Sequence, residues 1–147
     1  MHQNLGLSLE SALFEKRILD TVVLTCYENE RPLQGLAGIA DWNFYGRISQ
    51  YIRMGAFTGK IGECVFMPMR KNRFLYQILL IGAGSNSKPG ERLPLDQKII
   101  HILNKSIQGL KITKLGLSLS DFGLSDSDKA EGKAEKALKG VELCLLD

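Results

Sequence analysis

The sequence predicts an α/β domain in which helices flank a mixed sheet. Short apolar runs rich in Val, Ile and Leu alternate with segments whose apolar residues recur every three to four positions, as strands interleaved with helices do. The chain has 147 residues, of which 44% are hydrophobic and 24% are charged, which is typical of a folded protein with a buried core. No internal repeat or long linker interrupts it. Residues 1–147 are therefore predicted to form a single domain.

Two strands are predicted in the first part of the chain. The alternating stretch LGLSL, residues 5–9, fits a half-buried strand. The β-branched apolar run at residues 19–27 is flanked by charged residues and fits a fully buried strand. Pro32 and Gly35 then mark a polar connection.

A helix is predicted to follow this connection. Asp41 is its predicted N-cap and Gly55 its predicted end. Its apolar positions recur at helical spacing: Phe44, Ile48, Tyr51 and Ile52. Two apolar strands, residues 63–69 and 74–82, come next, and the basic sequence MRKNRF between them predicts a hairpin turn.

The last third of the chain predicts two more helices and a strand. Pro94 is expected to open a helix with Leu95, Ile99, Leu103 and Ile107 on one face, and Gly109 to end it. Residues 112–119 predict a strand. Ser125 and Asp128 form a capping-box pattern ahead of a final amphipathic helix, whose expected apolar positions are Ala130, Ala134, Ala137, Leu138, Val141 and Leu145.

The glycine-rich stretch MGAFTGKIGE, residues 54–63, invites comparison with a phosphate-binding P-loop. A P-loop needs four residues between its first glycine and Gly-Lys, followed by Ser or Thr. Only three residues separate Gly55 from Gly59, and Ile61 follows Lys60. The stretch also runs from a helix into a strand, whereas a phosphate loop leads into a helix N-terminus. It is predicted to be a connecting turn.

The order of these elements resembles that of the N-terminal domain of the M17 leucyl aminopeptidase family. The resemblance starts near Leu19 and includes a helix ending in RMGAFTGKIGE, a basic turn and a strand closing on LLIGAG. Ala56 stands where the family usually has an acidic residue. The other positions of the turn agree with the family: Gly55, Phe57, Gly59, Lys60, Gly62 and Glu63.

This resemblance implies a macro-like α/β sandwich and a function without catalysis. In the family, the peptidase chemistry belongs to a separate C-terminal domain with two divalent metals, and this sequence ends at Asp147, about where such a domain would begin. We therefore expect no catalytic residues, no cofactor and no metal site. The expected role is protein association or regulation, with a second copy of the chain or a full-length M17 aminopeptidase as the partner.

A macro-like fold also implies an alternative, because macro domains in other proteins bind ADP-ribose. The loop IGAGSNSKPG follows a strand, so Gly82, Gly84, Ser85 and Asn86 form a candidate binding loop for ADP-ribose or another nucleotide, through backbone N–H groups. The simpler interpretation is that the two glycines only release the chain from a buried strand into a surface loop.

Nucleic-acid binding is a further alternative that the charge pattern disfavours. The net charge is +3, the pI is about 8.8, and the basic residues are dispersed. The final helix carries four lysines interleaved with glutamates, which is typical of a solvated face: Lys129, Lys133, Lys136 and Lys139 with Glu131, Glu135 and Glu142.

The cysteines and the N-terminus predict a cytoplasmic protein with no role in the membrane. Cys26, Cys64 and Cys144 are an odd number without a CxxC pair, so reduced, packed thiols are expected. His2, at an N-terminus expected to fray, and His101, on a helix, offer no base for a cysteine nucleophile. No apolar run approaches the roughly 18 residues of a spanning helix, and the N-terminus lacks the pattern of a signal peptide.

Overall fold

A mixed six-stranded sheet forms the centre of the protein in the computed structural model, which describes residues 2–86, 88, 92, 96–124 and 128–147. The strands are β1 (His2–Leu7), β2 (Thr21–Cys26), β3 (Cys64–Lys71), β4 (Phe74–Gly82), β5 (Lys114–Leu117) and β6 (Glu142–Leu146). Their order across the sheet is β1-β6-β5-β2-β4-β3. All neighbouring pairs are parallel except β3 and β4, which form an antiparallel hairpin. The predicted α/β fold with a mixed sheet is confirmed.

Helices cover both faces of this sheet. They are α1 (Gly35–Asn43), α2 (Arg47–Arg53), α3 (Gln97–Gly109) and α4 (Asp128–Ala137). The central strand β2 is buried along its whole length. Its Val22 and Leu24 belong to the core cluster of α1 and α2, whereas Val23 belongs to the core cluster of α3 and α4. A strand with cores on both sides reads as a continuous apolar run, and this explains why β2 was predictable.

The first predicted helix is in fact two helices. Tyr45 and Gly46, with φ of 62° and 75°, interrupt the helical path between α1 and α2. Asp41 is not an N-cap in the ordinary sense, because it lies within α1. Its carboxylate nevertheless accepts hydrogen bonds from the Ser49 N–H, at 3.0 Å, and from the Ser49 hydroxyl, so it caps α2 from the preceding helix. Gly55, with φ of 79°, follows the end of α2 as predicted.

The last predicted helix is too long, because its final residues form a strand. Helix α4 ends at Ala137, and Gly140, with φ of 74°, turns the chain into β6. Val141 therefore lies outside the helix, and Leu145 lies in the strand between β1 and β5. Both faces of β6 are buried, so its apolar residues show no alternation and their spacing also matched a helix. Ser125 of the predicted capping box lies outside the described residues.

The N-terminal strand begins earlier than predicted. Strand β1 starts at His2, because its first residues pair with β6 at the edge of the sheet although they are polar. His2 is therefore not frayed. Its Nε2 lies 3.2 Å from a carboxylate oxygen of Glu131, and its Nδ1 contacts Glu135, so two side chains of α4 hold this end of the strand.

Helix α3 begins later than predicted. Asp96 is its N-cap and accepts a hydrogen bond of 2.7 Å from the Lys98 N–H. Pro94 and Leu95 lie outside the described residues. Gly109 is the last residue of the helix, as predicted, and Lys111, with φ of 54°, is the left-handed residue that follows the C-cap. The following strand, β5, has only four residues.

The hairpin between β3 and β4 agrees with the sequence. Asn72 and Arg73 form its turn with φ of 51° and 71°, a left-handed pair typical of two-residue hairpin loops.

In the described part of the chain, no helix has the length and apolar character needed to cross a bilayer.

Candidate functional site

Strands β5, β2 and β4 are parallel, so their carboxyl ends meet at one edge of the sheet, where open α/β sheets commonly bind ligands. The segments that leave these strands bring buried polar side chains together at this edge. Those with the least exposure are Glu30 after β2, Asn86 after β4, and Ser118 and Asp121 after β5.

A buried ion pair joins two of these segments. The Arg92 Nη1 lies 2.8 Å and 3.1 Å from the two carboxylate oxygens of Glu30, and their side chains are only 14% and 4% exposed. The guanidinium carbon of Arg92 also lies 5.1 Å from the centre of the Tyr27 ring. Asn86 donates a further hydrogen bond to Glu30. Such hydrogen bonds help to offset the free energy that is lost when a charge pair is removed from water.

Asp121 adds a third segment to this cluster. One of its oxygens accepts a hydrogen bond of 3.3 Å from the Leu36 N–H at the start of α1. Burial raises the pKa of Asp121 to about 6, although the Leu36 N–H and the charge of Arg92 act in the opposite direction. A Cβ on Gly35 would overlap Asp121 and lie 3.2 Å from Arg92, so glycine is needed for this close approach.

The predicted ligand loop lies beside the cluster, and the structure brings Gly82, Gly84, Ser85 and Asn86 together at the end of β4. Three of their backbone N–H groups donate within the protein: Gly82 to the Glu63 carbonyl at 2.9 Å, Gly84 to the Gly59 carbonyl at 2.8 Å, and Asn86 to the Asn29 side chain at 3.2 Å. The Ser85 hydroxyl donates to Glu28. In this conformation a phosphate would have to displace internal acceptors. Ligand binding by the loop stays a prediction.

The glycine-rich turn at residues 54–63 connects α2 to β3, as the sequence predicts. Two of its backbone donors are also occupied within the protein, here by the carboxylate of Glu63. This carboxylate accepts hydrogen bonds from the Lys60 N–H at 2.8 Å, from the Thr58 N–H at 3.3 Å and from the Thr58 hydroxyl. Partial burial works to raise the pKa of Glu63, but these hydrogen bonds outweigh it and the pKa is lowered. An internal anion thus stabilises the turn.

The three thiols are unsuited to nucleophilic chemistry. Burial raises the pKa of Cys26 to about 12, and it also raises the pKa of Cys64 and of Cys144. Cys64 is only half-buried, and its Sγ lies 3.3 Å from the Ser106 hydroxyl. Within the described residues, no three His, Cys, Asp or Glu side chains are grouped so that they could hold a metal ion.

A second candidate site is an aromatic pocket at the end of α1, away from the predicted loop. Trp42 is 83% exposed and Tyr45 is 72% exposed, the former on α1 and the latter in the break before α2. They line an open pocket of about 610 Å³. The remaining lining residues are Pro32, Leu33, Gly38, Asp41, Asn43, Gly46 and Lys71. Exposed aromatic residues beside an apolar pocket are typical of protein interfaces.

Comparison with known protein families settles the relationship that the glycine-rich turn indicates. The model of the cytosol aminopeptidase family, N-terminal domain, matches residues 23–145. The chain belongs to this family. The match extends from β2 into β6, so it covers the strands and helices on which both candidate sites are built. No curated protein sequence gives a significant match.

Solved structures with the same fold include both macrodomains and an aminopeptidase. The macrodomain of Thermus aquaticus DarG is 16% identical, with a TM-score of 0.68 over 100% of this chain and 98% of that one. The macrodomain of Mycobacterium tuberculosis DarG is 16% identical, with a TM-score of 0.69 over 99% and 97%. A variant of tomato leucine aminopeptidase is also 16% identical, with a TM-score of 0.53 over 87% of this chain but only 29% of the plant enzyme. At these identities the likeness is one of fold.

Sequence reasoning missed both site features of this aminopeptidase N-terminal domain. The cluster of Glu30, Arg92 and Asp121 combines residues up to 91 positions apart, which no local pattern connects. The pocket had a local signal. Trp42 is the only tryptophan of the chain and falls off the helical stripe that begins at Phe44, so it is expected to face solvent.

Proposed function

We propose that this aminopeptidase N-terminal domain is a non-catalytic protein-association module that acts in the cytoplasm. Its partner is a second copy of the chain or a full-length M17 aminopeptidase. The observation that carries the proposal is the pair of exposed aromatic side chains, Trp42 and Tyr45, at the mouth of an apolar pocket.

Exposed aromatic side chains of this kind keep apolar surface in contact with water, which is unfavourable. Association removes this surface from water. Each aromatic side chain can bury about 150–250 Å² of surface, and tryptophan and tyrosine are enriched among the residues that dominate binding energy. Residues beside the pair are held in place: Asn43 donates to the Ile39 carbonyl at 2.8 Å, and Lys71 donates to Asn43. Asn43 and Lys71 therefore lose little conformational entropy when this surface binds.

The internal contacts at the carboxyl edge of the sheet favour the association proposal over ligand binding at that edge. Arg92 pairs with Glu30, Asp121 accepts from the Leu36 N–H, and the N–H groups of Gly82, Gly84 and Asn86 donate internally. A nucleotide that used these donors would have to replace their internal acceptors. The aromatic pocket needs no such exchange.

Size-exclusion chromatography with light scattering tests the proposal. The chain alone over a range of concentrations, and the chain mixed with a full-length M17 aminopeptidase of the same source, should give a dimer or a mixed complex. Trp42→Ala should weaken the complex by about 2 kcal/mol, as truncation of a central aromatic contact does. Leu110→Ala removes another exposed apolar residue, 43% exposed at the end of α3, and should leave the complex unchanged. Identical behaviour of wild type and Trp42→Ala would refute the proposal.

A second candidate function is the binding of ADP-ribose or another nucleotide. The likeness in fold to two macrodomains along the whole chain favours it, as does the position of the Gly82–Asn86 loop at the carboxyl edge of the sheet. Calorimetry with ADP-ribose at physiological salt tests it. A micromolar isotherm that Gly84→Glu abolishes would rank this function above association.

A further inference from the structure

The aromatic pocket contains a cation with unused hydrogen-bonding capacity. Lys71, the last residue of β3, lines the pocket. Its Nζ lies 2.8 Å from the Asn43 carbonyl oxygen and 3.4 Å from the Asn43 side-chain oxygen. The same Nζ lies 4.5 Å from the centre of the Phe14 ring and 5.3 Å from that of Tyr45. These contacts fix the ammonium group at the pocket wall.

This ammonium group has no carboxylate partner among the described residues, and one of its N–H donors is unused. An ammonium has three N–H donors, and both hydrogen bonds of Lys71 go to Asn43. None of the described carboxylates lies within ion-pair distance of it. Asp41 is the one acidic side chain in the lining, and its two oxygens accept hydrogen bonds from Ser49. Arg47 is exposed and follows the lining residue Gly46 in the sequence.

We propose that the pocket binds an acidic segment of a protein partner, in which Asp or Glu stands beside an apolar side chain. The apolar side chain enters between Trp42 and Leu33, and the carboxylate accepts a hydrogen bond from Lys71. This inference rests on the proposed association function and names the chemistry of the partner. A partly desolvated cation with an unused donor favours a carboxylate, because charge-assisted hydrogen bonds are stronger than neutral ones.

A nucleic acid fits the same pocket less well. Backbone recognition needs a row of cations that follows the phosphates. Among the described lining residues, Lys71 is the one cation, and Asp41 adds an acidic side chain to the same lining. The pairing of one apolar pocket with one fixed ammonium matches a short acidic peptide segment.

Peptide selection followed by measurement of single contacts tests this inference. A phage-displayed library of random peptides is selected on the immobilised full chain, with removal of clones that also bind Trp42→Ala. The remaining clones are expected to share Asp or Glu within a few positions of an apolar residue. A peptide synthesised from the strongest clone is then titrated by fluorescence anisotropy.

A double-mutant cycle isolates the contact with Lys71. Lys71→Met and replacement of the peptide's acid by its amide should each weaken binding about tenfold, and the two together should cost little more than one alone. Lys71→Arg should restore much of the affinity, and raised salt should weaken the wild-type complex. Thermal unfolding of each variant confirms that it is folded, and the peptide amide needs no protein change at all.

The outcomes separate the inference from the association function. Two results would overturn the inference and leave association standing. In the first, the selected peptides depend on Trp42 but carry no acidic residue. In the second, the acidic residue contributes as much to binding of Lys71→Met as to binding of the wild type. A single-stranded oligonucleotide that binds with dependence on Trp42 and Lys71 would overturn it in favour of a nucleic acid. Absence of clones dependent on Trp42, together with absence of a complex in chromatography, would overturn both proposals.

Discussion

The N–H of Gly84 donates a hydrogen bond of 2.8 Å to the carbonyl oxygen of Gly59. This bond joins the glycine-rich stretch that the sequence predicts to be a connecting turn to the loop that it gives as a candidate ligand site. Gly82 reinforces the contact, because its N–H donates to the carbonyl of Glu63. The loop after β4 therefore donates its N–H groups to carbonyl oxygens of the turn before β3, and glycine serves close packing here.

Gly59→Val should destabilise the protein by about 1–3 kcal/mol, measured by urea unfolding. Gly59 has φ of 99°, and a Cβ there would lie 2.8 Å from the Glu28 nitrogen. Gly55→Val is the matched control and should cost less, since Gly55 has φ of 79° but a Cβ added there would meet no atom within 4 Å. Lys60→Ala should change neither stability nor nucleotide affinity. ATP binding that is lost with Lys60→Ala would show that the turn is a phosphate site.

Glu63→Gln should remove part of the acid sensitivity of the fold. The pKa of Glu63 is lowered in the folded protein, so its contribution to stability is present above the ordinary value of 4.5 and is lost as the pH falls through the folded value. Unfolding free energies of wild type and Glu63→Gln should therefore converge at low pH, with the variant less stable at neutral pH. A constant difference between them at every pH would contradict this account of the turn.

The effect of Asp121→Asn on stability should depend on pH in the opposite direction to that of Glu63→Gln. The pKa of Asp121 is raised from 3.8 to about 6, so the stability that it contributes is present below 3.8 and is lost as the pH rises through about 6. Relative to Asp121→Asn, the wild type should lose roughly 2–3 kcal/mol between these two values, at about 1.36 kcal/mol for each pKa unit. Chemical unfolding across this range measures the difference. A wild type that gains stability over the variant as the pH rises would show that Arg92 outweighs burial.

The elements that could be predicted from sequence are those determined by residues close together in the chain. Strand β2, the hairpin at Asn72 and the end of α2 at Gly55 follow from apolar runs and turn residues a few positions apart. Strand β6 was missed, because its residues are buried on both faces and Val141 and Leu145 also match helical spacing. The break at Tyr45 was missed because the helical stripe continues across it from Phe44 to Ile48.

The candidate sites were less predictable than the fold for the same reason. Gly82 and Gly84 were located correctly, but their hydrogen-bond acceptors, at Glu63 and Gly59, come from another turn. No pattern within either segment indicates that the donors of the loop are used by carbonyl oxygens of the turn. The ammonium of Lys71 likewise reaches the pocket from a strand that is distant in sequence from Trp42, so only the folded chain brings them together.

Purified protein with added Mn²⁺ or Zn²⁺ should not hydrolyse leucyl amide substrates above background. Metal-assisted hydrolysis needs a metal-bound water activated at neutral pH, and in the described part of the chain no set of three suitable ligands is grouped for a metal. A full-length M17 aminopeptidase serves as the positive control. Saturable, metal-dependent turnover that survives repurification would refute the non-catalytic proposal.

Nuclear magnetic resonance on an isotope-labelled sample of the chain tests most directly whether the aromatic pocket, and not the sheet edge, is the binding surface. Trp42 supplies the one indole N–H signal of the chain. Unlabelled full-length aminopeptidase, or an excess of unlabelled chain, should broaden or shift this signal and that of Gly38 in the pocket. The signals of Gly82, Gly84 and Asn86 should stay unchanged, and ADP-ribose should move none of them. Shifts confined to Gly82–Asn86 on addition of ADP-ribose, with an unperturbed indole in every protein mixture, would contradict the account.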